Sequence, residues 1–144
     1  MINVLIVDDD RLYLEMLRQG LTEKGFAVVS AESGVEALKK VVSERPDIIL
    51  MDVVMPQMSG YAACQSIKKM VENIPIVLIS GLFISKADIA LAHQSGADGF
   101  ISKPFRMETV LAIIREKLGL PESAPEAAAE VPLPPEKPEV QFHL

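Results

Sequence analysis

Five polar residues that could carry out phosphoryl chemistry stand at the ends of short apolar runs. Asp8 and Asp9 follow "NVLIV", Asp52 follows "IILM", Ser80 ends "IVLIS", and Lys103 follows "GFIS". Closely packed carboxylates repel one another and need a counter-charge, and an oxygen-only cluster suits Mg²⁺. A carboxylate can also attack phosphorus to give an aspartyl-phosphate, while lysine, hydroxyl and metal neutralise and position the transferring oxygens. These residue types therefore point to a metal-assisted phosphoryl site.

Asp52 is the most unusual of these residues, because it directly follows the four apolar residues 48–51. An ionised carboxylate in a core costs several kcal/mol unless it is paired or coordinated. Taken alone, each polar residue has a simpler interpretation: Asp10 caps a helix, Ser80 is an ordinary serine, and Lys103 is a surface lysine. Their combination at four strand ends favours a site.

The apolar runs recur at even spacing and predict buried strands over residues 3–7, 26–30, 48–51, 76–80 and 99–102. The first four lack polar alternation, as expected of strands covered on both faces. Helical periods lie between or after the strands, carried by Val35, Leu38, Val41 and Val42 and by Met107, Val110, Leu111, Ile114 and Leu118. This alternation predicts an α/β fold, a three-layer, doubly wound (βα)5 domain with a five-stranded parallel sheet.

The strand order determines which polar residues meet. Five parallel strands commonly take the order 2-1-3-4-5, in which strands 1 and 3 are neighbours and ligands bind at the carboxyl edge where the order reverses. Asp8, Asp9 and Asp52 then converge. Ser80 lies beside them, and Lys103 reaches in from the fifth strand.

Composition predicts a folded domain over residues 1–120 and a Pro/Glu/Ala-rich tail or linker over 121–144. The net charge is −6, but residues 119–144 carry one lysine against five glutamates and six of the ten prolines. We expect this tail to be disordered, although its last residues, "VQFHL", are apolar enough to dock.

Location and non-protein partners follow from what the sequence lacks. No apolar run approaches the roughly 18 residues of a membrane helix, the start lacks a basic leader, and the single cysteine, Cys64, cannot form an internal disulfide. The folded part is nearly neutral, which does not favour nucleic-acid binding. We expect a cytoplasmic protein without direct membrane or nucleic-acid contacts.

Over residues 1 to about 118 the chain resembles the receiver domains of two-component response regulators, the CheY-like superfamily. The resemblance is carried by "LIVDDD", "DIILMDVVMPQMSG", "IVLIS" and "GADGFISKPF". It implies a flavodoxin-like fold and a role in phosphorelay signal transduction rather than an enzyme. The expected partner is a sensor histidine kinase or phosphotransfer protein, and the expected cofactor is Mg²⁺.

The resemblance also implies a role for each acidic residue of the site. Asp52 is the phosphoacceptor and a metal ligand. Asp9 binds Mg²⁺ directly, Asp8 helps through water, and the main-chain carbonyl of Val54 completes the protein ligands.

Switching residues are implied in the same way. Ser80 hydrogen-bonds the phosphoryl group, Lys103 pairs with it, and Phe100 is the aromatic that turns inward when Ser80 moves. Phosphorylation then changes the face formed by the fourth helix, fifth strand and fifth helix, residues of about 82–118, for an unknown downstream protein; a phosphorylation-dependent dimer is left open. The bond before Pro104 is expected to be cis.

A further expectation concerns the lifetime of the phosphorylated state. In the receiver family, the residues two positions beyond the acceptor and beyond the hydroxyl residue influence the access of water. Here they are Val54 and Leu82, and neither side chain can orient an attacking water. We therefore predict slow self-dephosphorylation.

Two alternatives remain at this stage. A haloacid-dehalogenase-type phosphatase would use the D-x-D pattern at Asp8 and Asp10, but it leaves Asp52 unexplained. A pseudo-receiver scaffold that has lost phosphotransfer would keep the fold without the chemistry.

Overall fold

The computed structural model describes residues 1–81, 85–121 and 142–143. Strands and helices alternate along the chain. The first five strands are β1 Asn3–Val7, β2 Ala27–Ala31, β3 Ile48–Asp52, β4 Ile76–Ser80 and β5 Gly99–Ser102. The helices are α1 Arg11–Glu23, α2 Gly34–Glu44, α3 Gly60–Met70, α4 Lys86–Ser95 and α5 Met107–Leu118. The predicted strands are confirmed, with β2 starting and ending one residue later than predicted and β3 including Asp52.

All strands pair in parallel, and the order β2-β1-β3-β4-β5 confirms the predicted topology. A short sixth strand, β6 (Phe142–His143), adds to the edge of the sheet, with Phe142 opposite Phe100 of β5. The sequence interpretation assigned no strand to the tail, because two residues are too few to produce a period. The remaining tail residues, 122–141 and 144, lie outside the described part of the chain.

Each strand sends alternate side chains to opposite faces of the sheet, where two separate cores form. Leu5 and Val7 of β1 belong to the core under α2, α3 and α4. Val4 and Ile6 belong to the core under α1 and α5. This arrangement gives the three predicted layers and accounts for strands without polar alternation. Within the described residues, no helix has the length and apolar character needed to cross a membrane.

The buried face of α2 differs from the predicted one. Val35 and Val42 are exposed, whereas Ala37 and Val41 are buried and Leu38 packs against the core. Small residues, which contribute little to a hydrophobic pattern, allow this helix to approach the sheet. The face predicted from the valine spacing was therefore correct at Leu38 and Val41 and wrong at Val35 and Val42.

Candidate functional site

Three carboxylates meet at the carboxyl edge of the sheet. Because β1 and β3 are neighbours, Asp8 after β1 and Asp52 at the end of β3 lie side by side. Oxygen atoms of Asp8, Asp9 and Asp52 all lie within 4.8 Å of one another. Asp8 is 2% exposed and Asp52 is 6% exposed, whereas Asp9 is exposed. The cluster is therefore open to solvent on the side of Asp9.

Lys103 joins two of these carboxylates. Its Nζ lies 3.0 Å from Oδ2 of Asp8 and 3.1 Å from Oδ1 of Asp52. The backbone N–H of Lys103 donates to the carbonyl oxygen of Ser80 at 2.7 Å, which fixes the start of the side chain beside β4. Two carboxylates thus share one ammonium group in a largely buried place.

The pKa values respond to this crowding. Burial, followed by the charge of Asp8, raises the pKa of Asp52 to about 6, although Lys103 opposes the shift. For Lys103, burial alone lowers the pKa, but the contacts with Asp8 and Asp52 outweigh burial and the net pKa is raised. The single lysine therefore does not balance the negative charge around Asp52.

The donor set fits a hard divalent cation. All three clustered side chains offer carboxylate oxygens, the ligand type that Mg²⁺ prefers. With every group ionised, three carboxylates against one ammonium leave a formal charge of −2. Burial first, and then the charge of Asp8, raises the pKa of Asp52, and a divalent cation would offset the excess negative charge.

The remaining predicted residues surround the cluster at different depths. Ser80, the last residue of β4, is buried and lies opposite Ser102 of β5. Phe100 is fully buried within β5, whereas Val54 is 72% exposed in the loop after β3. The peptide bond between Lys103 and Pro104 is cis.

The position of Asp10 bears on two further predictions, the helix cap and the D-x-D pattern. The carboxylate of Asp10 accepts a hydrogen bond from Leu12 N–H at 2.9 Å and caps α1, as predicted. The D-x-D pattern of the phosphatase alternative therefore has its second acid engaged as a cap, away from the cluster. Leu82 lies outside the described residues.

A close backbone contact holds the loop that carries the site. The N–H of Gly60, the first residue of α3, donates to the carbonyl oxygen of Val53 at 2.7 Å. A Cβ atom at Gly60 would overlap the carbonyl oxygen of Asp52 and lie 2.8 Å from Cα of Val53. Only glycine lets α3 start this close to β3.

An aromatic pair beside Lys103 was missed from the sequence. Nζ of Lys103 lies 3.9 Å from the centroid of the Tyr13 ring, and the rings of Tyr13 and Phe105 have centroids 5.7 Å apart. Tyr13 stands in the first turn of α1, three residues after the Asp10 cap. The sequence did hold a signal for this pair. Tyr13 lies about one helical turn after the acidic residues, and Phe105 lies two residues after Lys103.

Comparison with protein families and curated proteins gives one consistent result. The family model described as response regulator receiver domain matches residues 4–115. The response regulator MprA of Mycobacterium tuberculosis is 36% identical over 129 residues, which cover 90% of this chain and 55% of that protein. The chain thus spans about half the length of the curated relatives it matches.

Solved structures show the same similarity. A CheY-like response regulator receiver domain protein from Methanospirillum hungatei has 29% identity and a TM-score of 0.79, covering 83% of this chain and 94% of that one. The chemotaxis protein CheY4 of Vibrio cholerae has 32% identity and a TM-score of 0.78, covering 82% and 99%. Nearly the whole of each of these chains therefore superposes on this one.

Proposed function

The chain belongs to the response regulator receiver domain family, and we propose that it accepts a phosphoryl group on Asp52. One observation carries this proposal: the Asp52 carboxylate is grouped with two further carboxylates and lies 3.1 Å from the Lys103 ammonium at the open edge of the sheet. Domains of this family are signalling modules of two-component systems. The phosphoryl donor we propose is therefore a phosphohistidine on a sensor kinase or phosphotransfer protein.

The proposed transfer is an in-line displacement at phosphorus. A carboxylate oxygen of Asp52 forms the new P–O bond, the P–N bond of the phosphohistidine breaks, and the departing imidazole nitrogen keeps the bonding electrons. Lys103 is already within reach of the acceptor and would pair with an oxygen of the transferred group. The hydroxyl of Ser80 would donate a hydrogen bond to another.

Asp8, Asp9, Asp52 and the main-chain carbonyl of Val54 would hold the metal ion, Mg²⁺. When bound, the ion would supply charge neutralisation for the carboxylates and the phosphoryl oxygens. Asp8 also accepts a hydrogen bond from the N–H of Asp10 at 2.9 Å, which orients its carboxylate toward the cluster. The site would thus be preorganised before any ligand arrives.

We propose that phosphorylation shifts an equilibrium at the face formed by α4, β5 and α5. The supporting observation is continuity: Lys103 follows β5 directly, and Ser80 and Ser102 are neighbours across β4 and β5. Phe100 is buried here. In the proposed switch both the inward and an outward position of this ring would be populated before phosphorylation, and phosphorylation would favour the inward, buried one. A partner protein, or a second copy of the chain, would bind the changed face. We propose that this signalling takes place in the cytoplasm.

The test is phosphoryl uptake by the full chain from acetyl phosphate, followed by intact-mass measurement. We expect the mass of one phosphoryl group to be added in Mg²⁺ and none in excess EDTA, because the carboxylate cluster needs the divalent charge. Borohydride trapping and peptide mapping should locate the label at Asp52. No uptake in Mg²⁺, together with no response to beryllofluoride, would favour the pseudo-receiver scaffold.

Replacing Val54 with glutamine should shorten the lifetime of the phosphorylated protein by about tenfold. Val54 is exposed next to the acceptor, and an amide there can orient an attacking water, which valine cannot. The measurement is the decay of phosphoprotein after the donor is removed. Val42→Gln, at an exposed valine on α2, is the matched control and should decay like the wild type. Rapid wild-type decay that Val54→Gln leaves unchanged would contradict the prediction.

A further inference from the structure

We propose that Tyr13 is a positioning residue for Lys103, acting through the face of its ring on the lysine ammonium. The inference rests on the proposed function, because Lys103 matters through its contact with the phosphoryl group. Tyr13 itself would touch neither the acceptor nor the transferred group. The role of Tyr13 would be to fix the position of the Lys103 ammonium group.

The contacts of the ammonium lead to this assignment. Lys103 Nζ lies 3.0 Å from Asp8 and 3.1 Å from Asp52, and the ring of Tyr13 lies 3.9 Å away, measured to its centroid. The lysine side chain is only 15% exposed. A cation over an aromatic face at this distance is attracted by the ring quadrupole, more strongly where water is excluded.

The ring is held in place from two sides. Tyr13 lies in α1, and the residue that follows it, Leu14, is buried in the core under α1 and α5. The tilted ring of Phe105 lies beside it, with 5.7 Å between centroids, and Phe105 packs against the same core. The face offered to Lys103 is therefore part of the folded framework and does not depend on a loose surface side chain.

An aromatic face suits the proposed reaction better than a third carboxylate. Lys103 must leave part of its contact with Asp8 and Asp52 to pair with an incoming phosphoryl oxygen. Another anion would hold the ammonium in competition with that oxygen. The face of Tyr13 attracts the ammonium without using its N–H groups in a strong hydrogen bond, so the donors stay available while the position is kept.

The test compares Tyr13→Phe, which keeps the ring face, with Tyr13→Leu, which removes it. We expect Tyr13→Leu to lower the initial rate of uptake from acetyl phosphate in Mg²⁺ by about fivefold, the size of an ordinary cation–π contact. Tyr13→Phe should remain within about twofold of the wild type. Thermal denaturation of each variant checks folding. Tyr13→Met, which fills similar volume without an aromatic face, repeats the comparison if Tyr13→Leu does not fold.

Tyrosine fluorescence supplies a second readout, because the chain has two tyrosines and no tryptophan. Tyr61→Phe leaves Tyr13 as the sole emitter, and its emission should change when beryllofluoride and Mg²⁺ are added, since Lys103 moves relative to the ring. Tyr61 is removed because its hydroxyl donates to the carbonyl oxygen of Asp88 in α4, on the face proposed to change, and it would add a signal of its own. Constant Tyr13 emission while beryllofluoride binds would count against the inference.

The outcomes separate the two proposals. A wild-type chain that takes up no phosphoryl group overturns the proposed function and this inference with it. A wild type that is phosphorylated while Tyr13→Leu and Tyr13→Met match its rate overturns the inference alone. A Tyr13→Phe variant as slow as Tyr13→Leu would assign the effect to the hydroxyl and would also overturn it.

Discussion

Replacing Asp52 with asparagine is expected to abolish phosphoryl uptake and, in the same protein without metal, to raise thermal stability at neutral pH. The first effect follows because an amide has no anionic oxygen to attack phosphorus. The second follows because Asp52 is a buried carboxylate beside Asp8, with a pKa raised to about 6. A residue kept for chemistry at a cost in stability should show both effects together.

The pH dependence of the stability effect has a definite direction. The pKa of Asp52 is raised from 3.8 to about 6 in the folded state, so the folded protein holds this proton more tightly than the unfolded chain. The stabilisation from protonated Asp52 is complete below about pH 3.8 and is lost as the pH rises through about 6. Asp52→Asn does not undergo this loss. The stability difference between variant and wild type should therefore be small near pH 4 and largest above pH 6.

The size of the difference follows from the shift. A change of one pKa unit corresponds to about 1.4 kcal/mol, so ionised Asp52 costs at most about 3 kcal/mol, a net figure that already includes the attraction to Lys103. Asparagine recovers only part of this, because a buried amide without a full set of hydrogen bonds has a cost of its own. We expect a net gain of about 1–2 kcal/mol above pH 6, a rise of about 5 °C in the melting temperature for a domain of this size. Circular dichroism melts in EDTA from pH 4.5 to 7.5 would measure it.

Two controls test whether the stability gain of Asp52→Asn comes from removing the charge of Asp52. Mg²⁺ should stabilise the wild type by binding its folded state and so reduce or reverse the difference. Asp88→Asn should behave oppositely, because hydrogen bonds from Ser85 lower the pKa of Asp88; that contribution is present above the ordinary pKa and is lost as the pH falls. A melting temperature for Asp52→Asn below that of the wild type at pH 7.5 in EDTA would contradict the prediction.

Much of the fold was predictable because parallel strands leave a strong sequence signal. Residues 48–51 are apolar without alternation since helices cover both faces of β3, and the residue that follows, Asp52, must then lie at an edge. Once the strand order places β1 beside β3, the convergence of Asp8 with Asp52 follows from topology alone. The alternation of elements and the carboxylate cluster could thus be predicted before any coordinates.

Other features depend on distances that no periodicity encodes. The contact between Tyr13 and Lys103 joins the first turn of α1 to the end of β5, and their sequence separation is long. The buried face of α2 was misjudged because Ala37 contributes little to a hydrophobic pattern, yet its small side chain is what allows close packing. The pairing of β6 with β5 involves too few residues to be detected as a strand.

Replacing Gly60 with alanine should destabilise the domain strongly, although helix propensity alone would favour alanine by up to about 1 kcal/mol. Gly60 begins α3, and an added Cβ would overlap the carbonyl oxygen of Asp52 and lie 2.8 Å from Cα of Val53. Both obstacles are backbone atoms, which cannot rotate away as a side chain would. We expect a loss of about 2–4 kcal/mol and a fall of about 10 °C in the melting temperature.

The same variant should lose phosphoryl uptake beyond its loss of stability, because the backbone that must shift carries Asp52 and the carbonyl of Val54. Uptake is measured well below the melting temperature, where the variant remains folded. Gly81→Ala is the matched control, since a Cβ there meets nothing within 4 Å, and its stability should be unchanged or slightly raised. If Gly60→Ala melts no lower than Gly81→Ala, the close approach of α3 to β3 is not what fixes this loop.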